Sequence, residues 1–222
     1  NTEIEKFSFE YAPIYWQNLN DKLNFDLLNI HWVNGFIDFK GIYELAEGKN
    51  VIFTLHDMAH FTGGCHYSKG CRAFENQCGC CPVLNSNTEK DVSRYNWNQK
   101  NKYIQQINPT VVTPSKWLAD EASKSSLLGD CDIHVIPYGL DIDVYKPGPS
   151  KKIKEKFNVP DEKFLLLSGA LDITLERKGI DLLIQSIEKM PSSAKRKICL
   201  LTFGEGHVEL SDIQTISLGY LE

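Results

Sequence analysis

Short apolar runs and longer stretches of helical spacing alternate along this chain. Phe25 to Ile30, Val51 to Leu55, Thr110 to Thr113 and Ile133 to Ile136 are brief runs rich in β-branched and aromatic residues, and they read as strands. Between them, Phe36 to Ala46, Asp91 to Ile107 and the segment from Pro114 to about Leu128 have helix-like spacing. In the second of these, Val92, Tyr95, Tyr103 and Ile107 are expected on or near one face. Ser115 is the natural N-cap of the third. Residues 14–22 also read as helical. The alternation resumes further on, with helix 151–157, strand 163–168, helix 179–189, strand 197–203 and strand 213–218. Strands separated by helices predict βαβ units, parallel sheets and an α/β fold.

Residues 164–187 are the most informative stretch. Phe164 to Leu167 reads as a buried strand that stops at Ser168-Gly169 and gives way to a polar loop. A helix restarts after Gly179 with its stripe at Ile180, Leu183, Ile184 and Ile187. Arg177 and Lys178 sit just before that helix. Helix N-termini favour anions through exposed N–H groups and the helix dipole, and two cations sharpen the preference. The loop also lies past the carboxyl end of a strand, where open α/β sheets bind ligands. A phosphate-bearing ligand fits this arrangement, although Arg and Lys are equally common on solvated loops.

The chain has 222 residues, 42% of them hydrophobic and 24% charged, which is ordinary for a globular protein. A net charge of −5 argues against nucleic acid as a partner. The only basic cluster, Lys151 to Lys156, is broken by Glu155 and reads as a solvated helix face. No apolar run approaches the ~20 residues of a membrane span, and no secretory signal is present. The stretch 139–150, with Gly139, Pro147, Gly148 and Pro149, is the best linker. The expected division is a first domain over 1–142, with a cysteine-rich insertion at 60–90, and a second over 143–222. The chain does not start with Met and is expected to be a fragment; it stops just after a strand, so the short second domain is expected to be truncated.

Five of the seven cysteines crowd into residues 65–81. They read Cys65-x5-Cys71-x6-Cys78-x2-Cys81, with Cys80 beside the last. The final Cys-x-x-Cys has the spacing of a zinc knuckle, and four thiolates make a closed structural site. His60 or His66 could replace one thiolate. Free thiols and one or two disulfides are the alternatives, and the odd count without a secretory signal weighs against the disulfides. A long insertion with little secondary structure needs some clip to order it, which favours the metal. A catalytic zinc is not expected, because four sulfurs leave no open position.

Several blocks line up in order: Asn29-Ile30-His31-Trp32-Val33-Asn34-Gly35, Thr54-Leu55-His56-Asp57, the cysteine block, and Val112-Thr113-Pro114-Ser115-Lys116-Trp117-Leu118-Ala119. Val135-Ile136-Pro137-Tyr138-Gly139-Leu140-Asp141, Arg177-Lys178-Gly179-Ile180-Asp181-Leu182-Leu183 and Phe203-Gly204-Glu205-Gly206 complete the set. Over roughly residues 26–220 this resembles a retaining glycosyltransferase of the GT-B fold, in the family-four group that builds bacterial surface polysaccharides. It is most similar to the colanic-acid-type and capsular subgroup.

The resemblance implies two Rossmann-like parallel-sheet domains and transfer of a sugar from a nucleotide diphosphate donor to a polysaccharide or lipid-linked acceptor. Configuration is retained and no cofactor is needed for catalysis. Lys178 matches the lysine that faces the donor diphosphate, with Arg177 assisting where the family's usual arginine is replaced by Ala170. Gly204 and Gly206 match the glycine loop beside the donor. His56 and Asp57 match the strand-end motif aimed at the reacting sugar. Tyr138 stands where the family usually has asparagine, and the family's paired glutamates fall outside this sequence. The implied location is cytoplasmic, with peripheral contact at the inner membrane as an option.

Bland readings stand beside these. His56 alone would pass for a strand-end histidine bonded to backbone, and Asp57 for a turn cap. His134 alternates with Ile133 and Val135 and should face solvent. His31 and Trp32 have weaker claims, and Trp16, Trp97 and Trp117 read as packing residues. Two rival functions remain: a non-enzymatic, zinc-clipped α/β binding module, and another GT-B enzyme such as a sugar-nucleotide epimerase.

Overall fold

In a computed structural model, residues 6–12, 16 and 23–221 are described. The helix expected at 14–22 lies outside these, apart from Trp16. The chain divides into two compact units, residues 1–140 and 141–222.

The first unit is built on four parallel strands, β1 (Leu27–Ile30), β2 (Asn50–Thr54), β3 (Thr110–Thr113) and β4 (Ile133–Val135), hydrogen-bonded in the order β1-β2-β3-β4. Helices α1 (Phe39–Ala46), α2 (Val92–Ile107) and α3 (Lys116–Lys124) provide crossovers. All three start on a side-chain cap: Asp38 accepts from Gly41 N–H at 2.8 Å, Asp91 from Arg94 N–H at 3.1 Å, and Ser115 from Leu118 N–H at 3.3 Å. Such caps contribute about 1 kcal/mol each. Phe53, Leu55, Val111, Ile42, Ile104 and Leu128 form the centre of the core, all 1% exposed or less.

The buried face of α2 differs from the expected one. Val92 and Tyr95 are exposed, and the helix turns Ser93, Asn96, Trp97, Lys100, Tyr103 and Ile104 inward. Polar groups win this face because they satisfy the backbone of the cysteine-rich insertion beneath it. Asn96 donates to the carbonyls of Ser8 and Gly63. Lys100 donates to those of Ala59 and Thr62, and it pairs with Glu10 at 3.3 Å. Buried carbonyls need such donors, and the insertion has only three short 3₁₀ turns of its own. Of the three tryptophans expected to pack, Trp16 and Trp97 are buried, whereas Trp117 is exposed.

The second unit is a parallel three-stranded sheet, β5 (Phe164–Asp172), β6 (Ile198–Glu205) and β7 (Gln214–Ser217), in that order. Its helices are α4 (Lys151–Lys156), α5 (Ile180–Glu188) and α6 (Ser192–Lys195). Along β6, Ile198 and Leu200 pack on one face with Ile173, Ile180 and Ile187, while Cys199 and Leu201 pack on the other with Val159. Both faces are therefore covered, as parallel sheets require. The α5 stripe falls where its spacing placed it: Ile180 and Ile187 are buried, and Leu183 and Ile184 pack against them. The apolar run at 164–167 forms a strand but not a buried one. Phe164 and Leu167 are exposed, because β5 is an edge strand among the described residues and β6 holds the centre.

The architecture is α/β with parallel sheets, as expected, and consistent with Rossmann-like units. Among the described residues, no helix is long and apolar enough to cross a membrane.

Candidate functional site

The carboxyl ends of β1, β2 and β4 bring three side chains together. His31 directly follows β1. On β2 the ladder continues one residue past the strand, with Leu55 N–H donating to Val112 O at 2.8 Å, so the backbone of the next residue, His56, is held. Past β4, Ile136 N–H donates to Thr113 O at 2.9 Å and leads to Tyr138. Below the cluster, Thr54 Oγ1 donates to Asn29 Oδ1 at 2.8 Å and ties β1 to β2.

His31 Nδ1 lies 2.9 Å from His56 Nε2, and His56 Nδ1 lies 2.5 Å from Tyr138 Oη. The three rings stack in series, with centroids 5.2 Å and 5.6 Å apart. One proton occupies each hydrogen bond. Two arrangements satisfy the neutral chain. In one, Tyr138 donates to His56 and His56 to His31; in the other, both directions reverse. The cluster can therefore pass a proton between the outer nitrogen of His31 and the Tyr138 hydroxyl. Burial first, then the charges of Tyr67 and Asp57, push the Tyr138 phenol up, which keeps its hydroxyl protonated.

Asp57, expected beside His56 in the chemistry, turns inward instead. Its Oδ1 accepts from Ala59 N–H at 2.8 Å, as a turn cap does, and its Oδ2 lies 2.6 Å from His66 Nδ1. His66 Nε2 is in turn 2.7 Å from Ser8 Oγ. The network is satisfied when Ser8 donates to His66 and His66 donates to Asp57. Burial works to raise the Asp57 pKa, but the bonds from His66 and Ala59 prevail and hold it below the usual carboxylate range. The order of contacts is that of a Ser–His–Asp triad. Here, however, His66 is 2% exposed, and the network braces the floor under His56.

The two histidines considered as thiolate substitutes differ, since His60 Nε2 has no hydrogen-bond partner among the described residues whereas His66 is fully used. Both ring nitrogens of His66 are engaged. His60 is buried against Phe39 and Phe53, and burial followed by the Lys100 charge lowers its pKa to about 3. His134 is exposed and pairs with Asp132 at 2.9 Å.

Cys65 Sγ and Cys81 Sγ stand 3.9 Å apart, both buried. Their mutual hydrogen bond, with burial, pushes the Cys65 thiol up, and the same bond holds the Cys81 thiol down. Cys78 Sγ accepts from Gly63 N–H at 3.2 Å. Cys71 is half-buried and Cys80 exposed. Among the described residues, no three His, Cys, Asp or Glu side chains are already gathered as metal ligands are.

In the second unit, Arg177 and Lys178 lie on an exposed 3₁₀ turn. Gly179 follows in the left-handed region at φ 72° and opens α5 without a side-chain cap. Gly204 and Gly206 also have positive φ, 106° and 101°. Their immediate reason is packing. A Cβ on Gly204 would meet Ala170 O at 1.6 Å, and one on Gly206 would meet Thr174 and Ile173 side chains at 2.8 and 2.9 Å.

The sequence singled out His56 but gave His31 a weak claim and read Tyr138 as a departure from a motif. The usable signal was positional, since all three follow a strand in a parallel sheet. Lys100 gave no apolar signal, although it shares helical spacing with Ser93, Asn96 and Trp97.

No known family model matches the chain. Among curated proteins, it is similar to a protein provisionally named as the colanic acid biosynthesis glycosyl transferase WcaC of Escherichia coli (strain K12). The two are 26% identical over 132 residues, a stretch covering 54% of this chain and 31% of the relative.

Proposed function

We propose that this chain belongs to a retaining, hexosyltransferase-type glycosyltransferase of the GT-B fold. It would move a sugar from a nucleotide diphosphate donor to a saccharide or lipid-linked acceptor. The single observation that carries the reading is the Arg177–Lys178 turn. It is exposed, it leads through left-handed Gly179 into α5, and no side chain caps the helix behind it. Sugar–phosphate cleavage leaves negative charge on the departing diphosphate. One well-placed donor facing such charge lowers a barrier by about 3 kcal/mol, and this is the work assigned to Lys178 and Arg177. The relative's assignment to glycosyl transfer supports the same class.

The strand-end cluster supplies the complementary chemistry. His56, held between His31 and Tyr138, orients the acceptor hydroxyl and offers its proton a path. Gly204 and Gly206 keep the backbone beside the donor loop free of side chains.

The test is calorimetric and kinetic. UDP, GDP and dTDP are titrated into the purified protein, and turnover of the corresponding sugar nucleotides is followed for wild type and Lys178→Ala. Binding of one nucleotide diphosphate, with turnover reduced at least ~10-fold in the variant, about 1.4 kcal/mol of lost transition-state stabilisation, is the expected result. Flat titrations with all three would leave the non-enzymatic binding module as the better description.

A further inference from the structure

Asn29 and Thr54, His31 and His56, and Trp32 and Asp57 are pairs of equal spacing, each 25 residues apart. The first pair lies just before the strand-end histidines and the last just after them. The β1–β2 ladder ends with Ile30 opposite Phe53, so His31 and His56 meet beyond the last ladder pair of these strands. Both side chains are exposed, and ordering exposed side chains costs conformational entropy. On the strand side they are steadied by the bond from Thr54 Oγ1 to Asn29 Oδ1 at 2.8 Å. On the far side the tie runs through His66, which belongs to the cysteine-rich insertion and to neither strand-end motif.

His66 touches the residue that follows each histidine. Its Nδ1 lies 2.6 Å from Oδ2 of Asp57, which follows His56, and 3.4 Å from Nε1 of Trp32, which follows His31. Nδ1 has one proton to give. The Asp57 carboxylate takes it at the shorter distance. The Trp32 contact is therefore one of packing, with ring centroids 5.9 Å apart and planes tilted by 52°.

The ring is itself fixed from several sides. His66 N–H donates to Lys6 O at 3.1 Å, its carbonyl accepts from Met58 N–H at 3.0 Å, and Ser8 Oγ donates to its Nε2 at 2.7 Å. Ser8 is held in turn, with its N–H on Gly64 O at 2.9 Å and its carbonyl on Asn96 Nδ2 at 3.0 Å. Lys6 places its ammonium 3.8 Å from the centre of the Trp32 ring.

We propose that His66 is a positioning residue for the strand-end cluster: it locks Trp32 to Asp57 and so sets the 2.9 Å contact between His31 and His56. This rests on reading the cluster as the acceptor-side proton path of glycosyl transfer. His66 is 2% exposed and acts through its two neighbours. Its leverage is geometric. N–H hydrogen bonds lie at about 2.7–3.2 Å, so a shift of a few tenths of an ångström at either strand end interrupts the path.

The test reads the His31–His56 hydrogen bond directly, in isotope-labelled protein, through the nitrogen–nitrogen coupling that an N–H···N bond transmits. The coupling is expected in wild type, in Trp32→Phe, which keeps a packed ring, and in His66→Asn, whose amide replaces the Nδ1–H donor. It should vanish in His66→Leu and in Trp32→Ala. Trp32 is 44% exposed, so Trp32→Ala reads the tie even if His66→Leu, which strands the Asp57 carboxylate, fails to fold. Turnover of sugar nucleotides should fall where the coupling is lost, by up to about 100-fold, the cost of misplacing a reacting group by ~1 Å. Nucleotide affinity should stay within about twofold. Coupling that persists in Trp32→Ala or in folded His66→Leu would overturn the proposal, since the sheet alone would then set the pair. Its absence from wild type, or its loss in His66→Asn as fully as in His66→Leu, would do the same. Failure of the glycosyl-transfer reading shows differently, as flat nucleotide titrations with the coupling pattern intact.

Discussion

His31 Nδ1 and His56 Nε2 lie 2.9 Å apart although 25 residues separate them. Each follows a parallel strand, and β1 and β2 are neighbours in register, with Ile30 opposite Phe53. The sheet therefore sets the contact, and the Tyr138 hydroxyl extends it past β4. Removing His56 should break the chain at its middle. His56→Asn is expected to slow transfer by about 100-fold, the lower range for a general acid–base group. Tyr138→Phe, which keeps the stacked ring, should cost less. Nucleotide affinity measured by calorimetry should stay within about twofold in both, as required if the cluster acts on the acceptor.

His60 makes the protein acid-sensitive. Its folded-state pKa is near 3, against an ordinary 6.5. Below pH 6.5 the unfolded chain takes up a proton that the folded chain refuses. Stability from this group is therefore present above pH 6.5 and lost as pH falls towards 3, by up to about 1.4 kcal/mol per pH unit. Asp57 adds to the loss at lower pH, since its depressed pKa makes it stabilising above the ordinary carboxylate range and less so as it protonates. Urea unfolding at pH 7, 6 and 5 should show a falling midpoint in wild type and a shallower fall in His60→Leu.

Lys100 is fully buried, and its partner Glu10 has a side chain only 5% exposed. Breaking such a pair from one side strands a buried charge and typically costs about 3–5 kcal/mol. Lys100→Met is expected to destabilise by that order, and Glu10→Gln added to it should restore part of the loss. Additive effects in denaturant unfolding would show that the ammonium works through the Ala59 and Thr62 carbonyls alone.

Gly179 and Gly204 both have positive φ, yet they should respond differently to alanine. At Gly179 nothing lies within 4 Å of the added methyl, leaving only left-handed strain of about 1–2 kcal/mol. At Gly204 the methyl would meet Ala170 O at 1.6 Å, so β5 and β6 must separate. Gly179→Ala should fold with a slightly lowered midpoint. Gly204→Ala should lose the cooperative unfolding transition of the second unit, read by circular dichroism and limited proteolysis.

Residue order alone set the elements and their class. Strand and helix periods are local properties, so β3 at 110–113, the Ser115 cap and the α5 stripe at Ile180 and Ile187 could be read directly from residue order. Tertiary structure decided which side each element showed. The exposure of β5 depends on which strand takes the sheet centre, and the polar inner face of α2 depends on carbonyls more than thirty residues away in Gly63, Thr62 and Ala59. Tertiary structure also assembled the candidate site, because His31, His56 and Tyr138 become neighbours only when β1, β2 and β4 align their carboxyl ends. A hydrogen bond across 82 residues leaves no trace in local spacing, since chain order fixes nothing about which strands lie side by side.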